Sequence, residues 1–165
     1  MISCFTPFSF VDFLKKITEA IVFAFSVSSS AASIPVVIKT VQERLNVDKT
    51  ISSFVIPLGA TINMDGTAIM QGVATVFVAN LYHIPLTLTH YMIVIAMATA
   101  ASIGTAAVPS AGIIMLIVVF KQIGLPIDGI AMILGVDRLL DMLRTAVNIT
   151  GDCTIATVLQ HHNKS

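Results

Sequence analysis

Charge is what this sequence has least of. Of its 165 residues, 11% are charged and 56% are hydrophobic, with a mean hydropathy of +0.93, whereas a soluble domain carries about 25% charged residues. The scarcity excludes a water-soluble globular domain and points to a membrane protein. Nine basic and nine acidic residues cancel, and the basic ones are scattered, which removes the electrostatic case for nucleic-acid binding. Cysteine is sparse as well. Cys4 and Cys153, at distant positions, define neither a disulfide framework nor a metal-ligand spacing, so both are expected to be inert. Residues 1–10 lack a basic n-region, and no small-residue cleavage site follows an early apolar core, so no secretory signal is expected.

What is present is a series of apolar runs with polar residues placed inside them. A full crossing needs roughly 20 residues, so the chain has room for about four to six segments at membrane depth. Residues 8–45 carry Asp12, Lys15, Lys16 and Glu19, turn apolar, meet the small-residue run Ser28-Ser29-Ser30-Ala31-Ala32-Ser33-Ile34-Pro35, and turn polar again at Lys39, Glu43 and Arg44. That is the profile of a re-entrant hairpin with its tip at membrane depth, where irregular backbone is tolerated only if buried in protein or lining a wet cavity. A bent transmembrane helix with a serine-rich interface fits the same residues. Residues 50–81 form the longest apolar segment, broken by Gly59-Ala60-Thr61-Ile62-Asn63-Met64-Asp65-Gly66-Thr67, and are expected to be two half-helices of one broken transmembrane helix. A carboxylate in that position costs at least a few kcal/mol in hydrocarbon and needs a partner or a role. Lys and Arg lie before this segment, at 39–49, and none follows it at 82–90, which assigns the earlier loop to the cytoplasmic side.

Residues 89–122 repeat the first pattern: an apolar arm, the tip Ser102-Ile103-Gly104-Thr105-Ala106-Ala107-Val108-Pro109-Ser110-Ala111-Gly112, and a second apolar arm. Gly124, Pro126 and Gly129 lead to a last long helix, 129–160. The expected fold is therefore all-α and integral to the membrane, with two re-entrant helical hairpins and two transmembrane helices, one broken, in two halves of opposite orientation. Inverted repeats with interrupted segments are the best sequence pointer to a transport site.

On the last helix Asp137, Asp141, Arg144, Thr145, Asn148 and Asp152 follow one another at helical spacing, which places them on one face of a helix of about 3.6 residues per turn. Such a stripe cannot face lipid. One reading is internal salt bridging, with Asp141 and Arg144 as the pair; the other is an ion or substrate path. A guanidinium suits a carboxylate and a carboxylate suits an ammonium, so Arg144 and Asp141 together describe a zwitterion with an acidic side chain. Asp65, Asp152, Asn63, Asn148 and carbonyls freed between Gly59 and Asp65 offer hard oxygen ligands for a small cation such as sodium.

These motifs, Asn63-Met64-Asp65-Gly66-Thr67, the two tips, and Asp141-x-x-Arg144-Thr145-x-x-Asn148-x-x-x-Asp152, resemble the C-terminal half of the dicarboxylate/amino acid:cation symporters, the glutamate transporters and their bacterial homologues. The resemblance implies a multi-pass protein of the cell membrane that couples sodium to uptake of L-aspartate or L-glutamate and uses no other cofactor. It implies a substrate pocket of Ser29, Ser30, Thr67, Val108, Ala111, Asp141, Arg144, Thr145 and Asn148. Gly59, Asn63, Asn148 and Asp152 would form one sodium site, Thr61, Ser102, Ile103 and Thr105 a second, and Asn63 and Asp65 part of a third. The family's second hairpin acts as a gate, and its transport domain moves like an elevator against a homotrimeric scaffold. The family's first six helices, including that scaffold, have no counterpart here, so residues 1–165 are expected to be a partial transport domain.

Three positions depart from the family pattern. Val27 stands where some prokaryotic members have an arginine, a charge that Arg138 is placed to replace. Ala107 and Ser110 stand where glycines are often found and would stiffen the second tip. Gln71 stands where animal transporters carry an acid linked to proton movement, which argues against that form of proton coupling. Other readings are a non-transporting fragment or subunit of a split transporter, a symporter of dicarboxylates or neutral amino acids, and an intramembrane aspartyl protease. The protease reading needs two acids sharing a proton, and no Gly-x-Gly-Asp sequence occurs.

Overall fold

Two helical hairpins, each followed by an interrupted helical segment, make up the chain. The computed structural model describes residues 2–104 and 110–163, and no strand occurs among them. A short α1 (Ile2–Phe5) precedes α2 (Phe10–Val27). Ser9 starts α2 by accepting the Asp12 N–H at 3.1 Å, satisfying one of the donors a helix start leaves free. Ser28 ends α2 in a left-handed conformation, and Ser29 caps α3 (Ser30–Leu45) by accepting the Ala32 N–H at 3.2 Å. The serine run thus makes the turn of the first hairpin, one serine stopping a helix and the next starting another.

Asp48 caps α4 (Lys49–Ile62), its carboxylate accepting the Thr50 N–H at 2.7 Å. That bond is the largest cause holding the Asp48 carboxyl below its ordinary value of 3.8. The expected break is present but narrow. Helix α4 runs on through Gly59 to Ile62, only Asn63 and Met64 leave helical geometry, and α5 (Asp65–Leu81) follows at once. Gly59 frees no carbonyl, since its oxygen accepts the Asn63 N–H at 2.9 Å. The second half holds α6 (Leu88–Gly104) and α7 (Ala111–Ile123), with the expected tip residues Thr105 and Val108 outside the described residues.

The expected continuous last helix is not observed. A 3-10 turn, Ile127–Gly129, leads into α8 (Ile130–Leu134), and the chain is interrupted at Gly135-Val136 before α9 (Asp137–His162). The Val136 N–H bonds Ile133 O at 3.0 Å, the i-to-i−3 pattern that tightens and ends a last turn. The two halves therefore share an interrupted segment as well as a hairpin.

Among the described residues, no helix is long and apolar enough to cross a membrane. The break divides residues 50–81 between helices of 14 and 17 residues. Helix α9, at 26 residues, is long enough but carries Asp137, Arg138, Asp141, Arg144 and Asp152.

Helix α9 packs against α2, α3, α4 and α5 and links two cores. The first gathers Phe13 and Ile17 of α2, Val37 and Val41 of α3, Ile56 of α4, and Ile149, Cys153 and Ala156 of α9. The second gathers Val78 of α5, Val94 of α6, Leu116 and Phe120 of α7, and Ile130 and Ile133 of α8. The polar stripe of α9 runs between them.

Candidate functional site

Most polar residues of the α9 stripe meet another element. Asp152 Oδ1 accepts the Asn63 Nδ2–H at 2.8 Å, and Asn148 Oδ1 accepts the Gly66 backbone N–H at 2.8 Å. Both partners belong to the α4–α5 break, where Asn63 has left the helix and the first N–H groups of α5 lack helical acceptors. One turn earlier, the Arg144 guanidinium pairs through Nη2 with Asp141 Oδ1 and points Nη1 at Met70 Sδ, 3.6 Å away. The other oxygen of Asp141 accepts the Ser110 N–H at 2.9 Å at the start of α7. Asp137, Asp141, Arg144, Thr145, Asn148 and Asp152 are all buried, so the stripe faces protein along its whole length.

Glycines set how closely the elements approach. A β-carbon on Gly59 would overlap the Asp152 carboxylate, one on Gly66 the Arg144 carbonyl, and one on Gly112 the Arg144 guanidinium. Gly151 faces the break, its β-carbon position 2.8 Å from Asn63 Nδ2 and 3.3 Å from Asp65 Oδ2.

The residues expected to hold the first cation thus meet at one place: Gly59, Asn63, Asn148 and Asp152 line the contact between α9 and the break, with Asp65 beside it. Asp65 is exposed and, with Asn63, lines a cavity of 630 Å³ completed by Ile21, Leu143, Thr150 and Gly151. The second expected cation set is less assembled. Ser102 O accepts the Met64 N–H at 3.2 Å, which brings the end of α6 to the break, but the Thr61 hydroxyl turns back to Leu58 O at 2.8 Å and Ile103 is exposed. Thr105 lies outside the described residues.

Among the expected substrate residues, Thr67 is buried with a hydroxyl that has no partner among the described residues, Ser30 and Ala111 are buried, and Ser29 is half-buried at the α3 cap. The Thr145 hydroxyl donates to Asp141 O at 2.8 Å within its own helix. Val108 is outside the described residues. Arg144 also borders an apolar cleft of 440 Å³ between α5, α8 and α9, walled by Ile69, Val73, Phe77, Met132 and Val136. A fixed charge pair beside breaks in two helices, with oxygen ligands one turn further on, can bind a zwitterion and a hard cation side by side.

A sequence model of the sodium:dicarboxylate symporter family matches residues 1–162. The chain belongs to this family. It is 39% identical over 153 residues to an excitatory amino acid transporter of Caenorhabditis elegans, covering 93% of this chain and 30% of that protein. It is 45% identical over 140 residues to excitatory amino acid transporter 3 of Oryctolagus cuniculus (85% and 27%). Human excitatory amino acid transporter 1 is 40% identical over 149 residues (90% and 28%). The chain therefore spans less than a third of the length of these relatives. Membership places it among membrane transporters rather than enzymes, and the aspartyl-protease reading falls with that.

Several residues of the site carry no distinct signal in the sequence. Gly66, in the α4–α5 break motif, and Gly112, in the second-tip motif, are the surfaces on which Arg144 rests. Met70 left no signal, since a methionine at helical spacing reads as core. Ser110, read only as a stiffened glycine position, bonds two carboxylates. The Nη2 of Arg138 lies 3.5 Å from Ser26 O, in the last turn of α2.

Proposed function

We propose that this chain is the substrate- and ion-binding part of a sodium-coupled symporter of acidic amino acids. The observation that carries the reading is the buried Asp141–Arg144 pair, with the Asn148–Gly66 contact one turn along α9 and the Asn63–Asp152 contact about two turns along it. Arg144 takes the side-chain carboxylate of aspartate or glutamate through its planar fork, and Asp141 takes the amino group. Asn63, Asn148, Asp152 and Gly59 hold sodium, with Asp65 at a further cation site; Thr61, Ser102, Ile103 and Thr105 belong to another. Ser29, Ser30, Thr67, Val108, Ala111 and Thr145 complete the substrate pocket. The relatives' names support an amino-acid substrate, and a guanidinium at the centre disfavours a neutral side chain.

In this reading α2–α3 and α6–α7 are re-entrant hairpins, and the breaks at Asn63-Met64 and Gly135-Val136 lie at membrane depth. That accounts for a membrane protein in which no described helix is long and apolar enough to cross alone. The chain acts as a partial transport domain in a multi-pass assembly, with a homotrimeric scaffold supplied by sequence like that of the uncovered parts of its relatives.

Sodium-dependent aspartate binding to the purified chain, alone or co-expressed with a complementary half from a relative, tests this. Arg144→Cys should abolish aspartate binding and spare sodium binding. No binding in either preparation favours the alternative suggested by the short span, a fragment that does not transport.

A further inference from the structure

Ser110 adopts a conformation that residues with a β-carbon rarely adopt, φ 61 and ψ 4, in the left-handed region. While it does so, its two polar groups reach carboxylates on successive turns of α9. The backbone N–H donates to Asp141 Oδ2 and the hydroxyl donates to Asp137 Oδ2, each at 2.9 Å. Ser110 is exposed, whereas Asp137 and Asp141 beneath it are 7% and 1% exposed. The two acids are not equivalent. Asp141 has both oxygens engaged, one by Arg144 and one by the Ser110 N–H. Among the described residues Asp137 Oδ1 has no partner, so the bond from the Ser110 hydroxyl to Oδ2 is the one that this carboxylate makes among them.

We propose that Asp137 is a positioning residue for Asp141, acting through Ser110. By accepting the hydroxyl it holds the start of α7 in the left-handed turn, which keeps the Ser110 N–H on Asp141 Oδ2 and the carboxylate turned to Arg144. Resting on the proposed function, this makes Asp137 a control on substrate entry. An incoming ammonium group that takes the Asp141 oxygen bonded by Ser110 works against the Ser110–Asp137 bond as well. Removing that bond loosens the start of α7 and, by linkage, tightens binding of the ligand that displaces it.

The experiment compares Asp137→Ala, Asp137→Asn and Ser110→Ala in the full chain, in detergent. Amide hydrogen exchange at residue 110 and at Ile113, whose N–H bonds Ser110 O at 3.1 Å, reads the turn; aspartate titration in sodium reads the site. Asp137→Ala and Ser110→Ala should speed exchange at both amides about tenfold or more, the effect of losing one hydrogen bond to a carboxylate. They should tighten aspartate binding by up to the same factor. Asp137→Asn should match the parent, because a carboxamide oxygen still accepts the hydroxyl. Unchanged exchange in the first two variants overturns the inference, as does Asp137→Asn behaving like Asp137→Ala. Faster exchange with unchanged or weaker binding also overturns it, since the turn would then persist in the bound state. If Asp137→Ala does not fold, Ser110→Ala and Asp137→Asn decide. Faster exchange in a chain that binds no aspartate at all, the parent included, supports Asp137 positioning Asp141 while rejecting the symporter reading.

Discussion

Arg144 is held by what is missing from Gly112. A side chain there would occupy the space of Nη1, so Gly112→Ala is expected to push the guanidinium away from Asp141 and Met70. A charge-assisted hydrogen bond is worth about 1.5–3 kcal/mol, so aspartate affinity should fall by roughly tenfold or more, measured by calorimetric titration in sodium. Unchanged affinity would show that Arg144 binds substrate from another position. Gly66→Ala meets the Arg144 carbonyl instead, and backbone cannot swing aside as a long side chain can. Loss of thermal stability by about 1–3 kcal/mol is expected there, read by unfolding in detergent, and a parent-like melting curve would contradict the close approach.

At the scale of elements, the contact between α9 and the α4–α5 break carries most of the site. Asn63→Ala, Asp152→Ala and the double variant form a cycle whose coupling should lie at about 0.5–3 kcal/mol; a coupling of zero would mean that the Asn63–Asp152 bond does not tie the break to α9. Sodium should enlarge the coupling if both side chains hold it. The start of α4 titrates. The folded-state pKa of Asp48 is depressed below 3.8 by the Thr50 N–H, so the cap contributes stability above that value and loses it as pH falls through the folded pKa. Exchange of the Thr50 amide should therefore rise on acidification below about pH 4 in the parent and be fast at every pH in Asp48→Ala. These elements were unequally legible. The serine run showed a turn because serines cap helices, and the Asn63-Met64-Asp65-Gly66 break stood out against apolar neighbours. The interruption at Gly135-Val136 did not, because one glycine within apolar sequence is compatible with a continuing helix and the outcome depends on how α8 packs against its neighbours.

At the scale of the whole molecule, the described residues gather into two apolar cores that α9 joins. Phe13 lies in the first and Phe120 in the second, both fully buried. Replacing either by Ala should destabilise by about 3–5 kcal/mol, and the two effects should add within about 0.5 kcal/mol because the residues belong to separate cores. Denaturant unfolding of the single and double variants in detergent checks this. Strong non-additivity would mean that α9 transmits packing from one core to the other.

The sequence by itself determined the class of molecule and the identity of the polar residues. Low charge excludes a soluble domain, and an acid, a guanidinium and a carboxamide at helical spacing must share a face, because both follow from composition and from the pitch of a helix. Which of those residues meet was decided only by tertiary structure. Spacing suggested the Asp141–Arg144 pair, yet nothing in it joins Asp152 to Asn63, Asn148 to the Gly66 N–H, or Asp137 to Ser110. Those contacts link residues far apart in the chain, and they depend on how closely glycines allow separate helices to approach, a distance that no local pattern encodes.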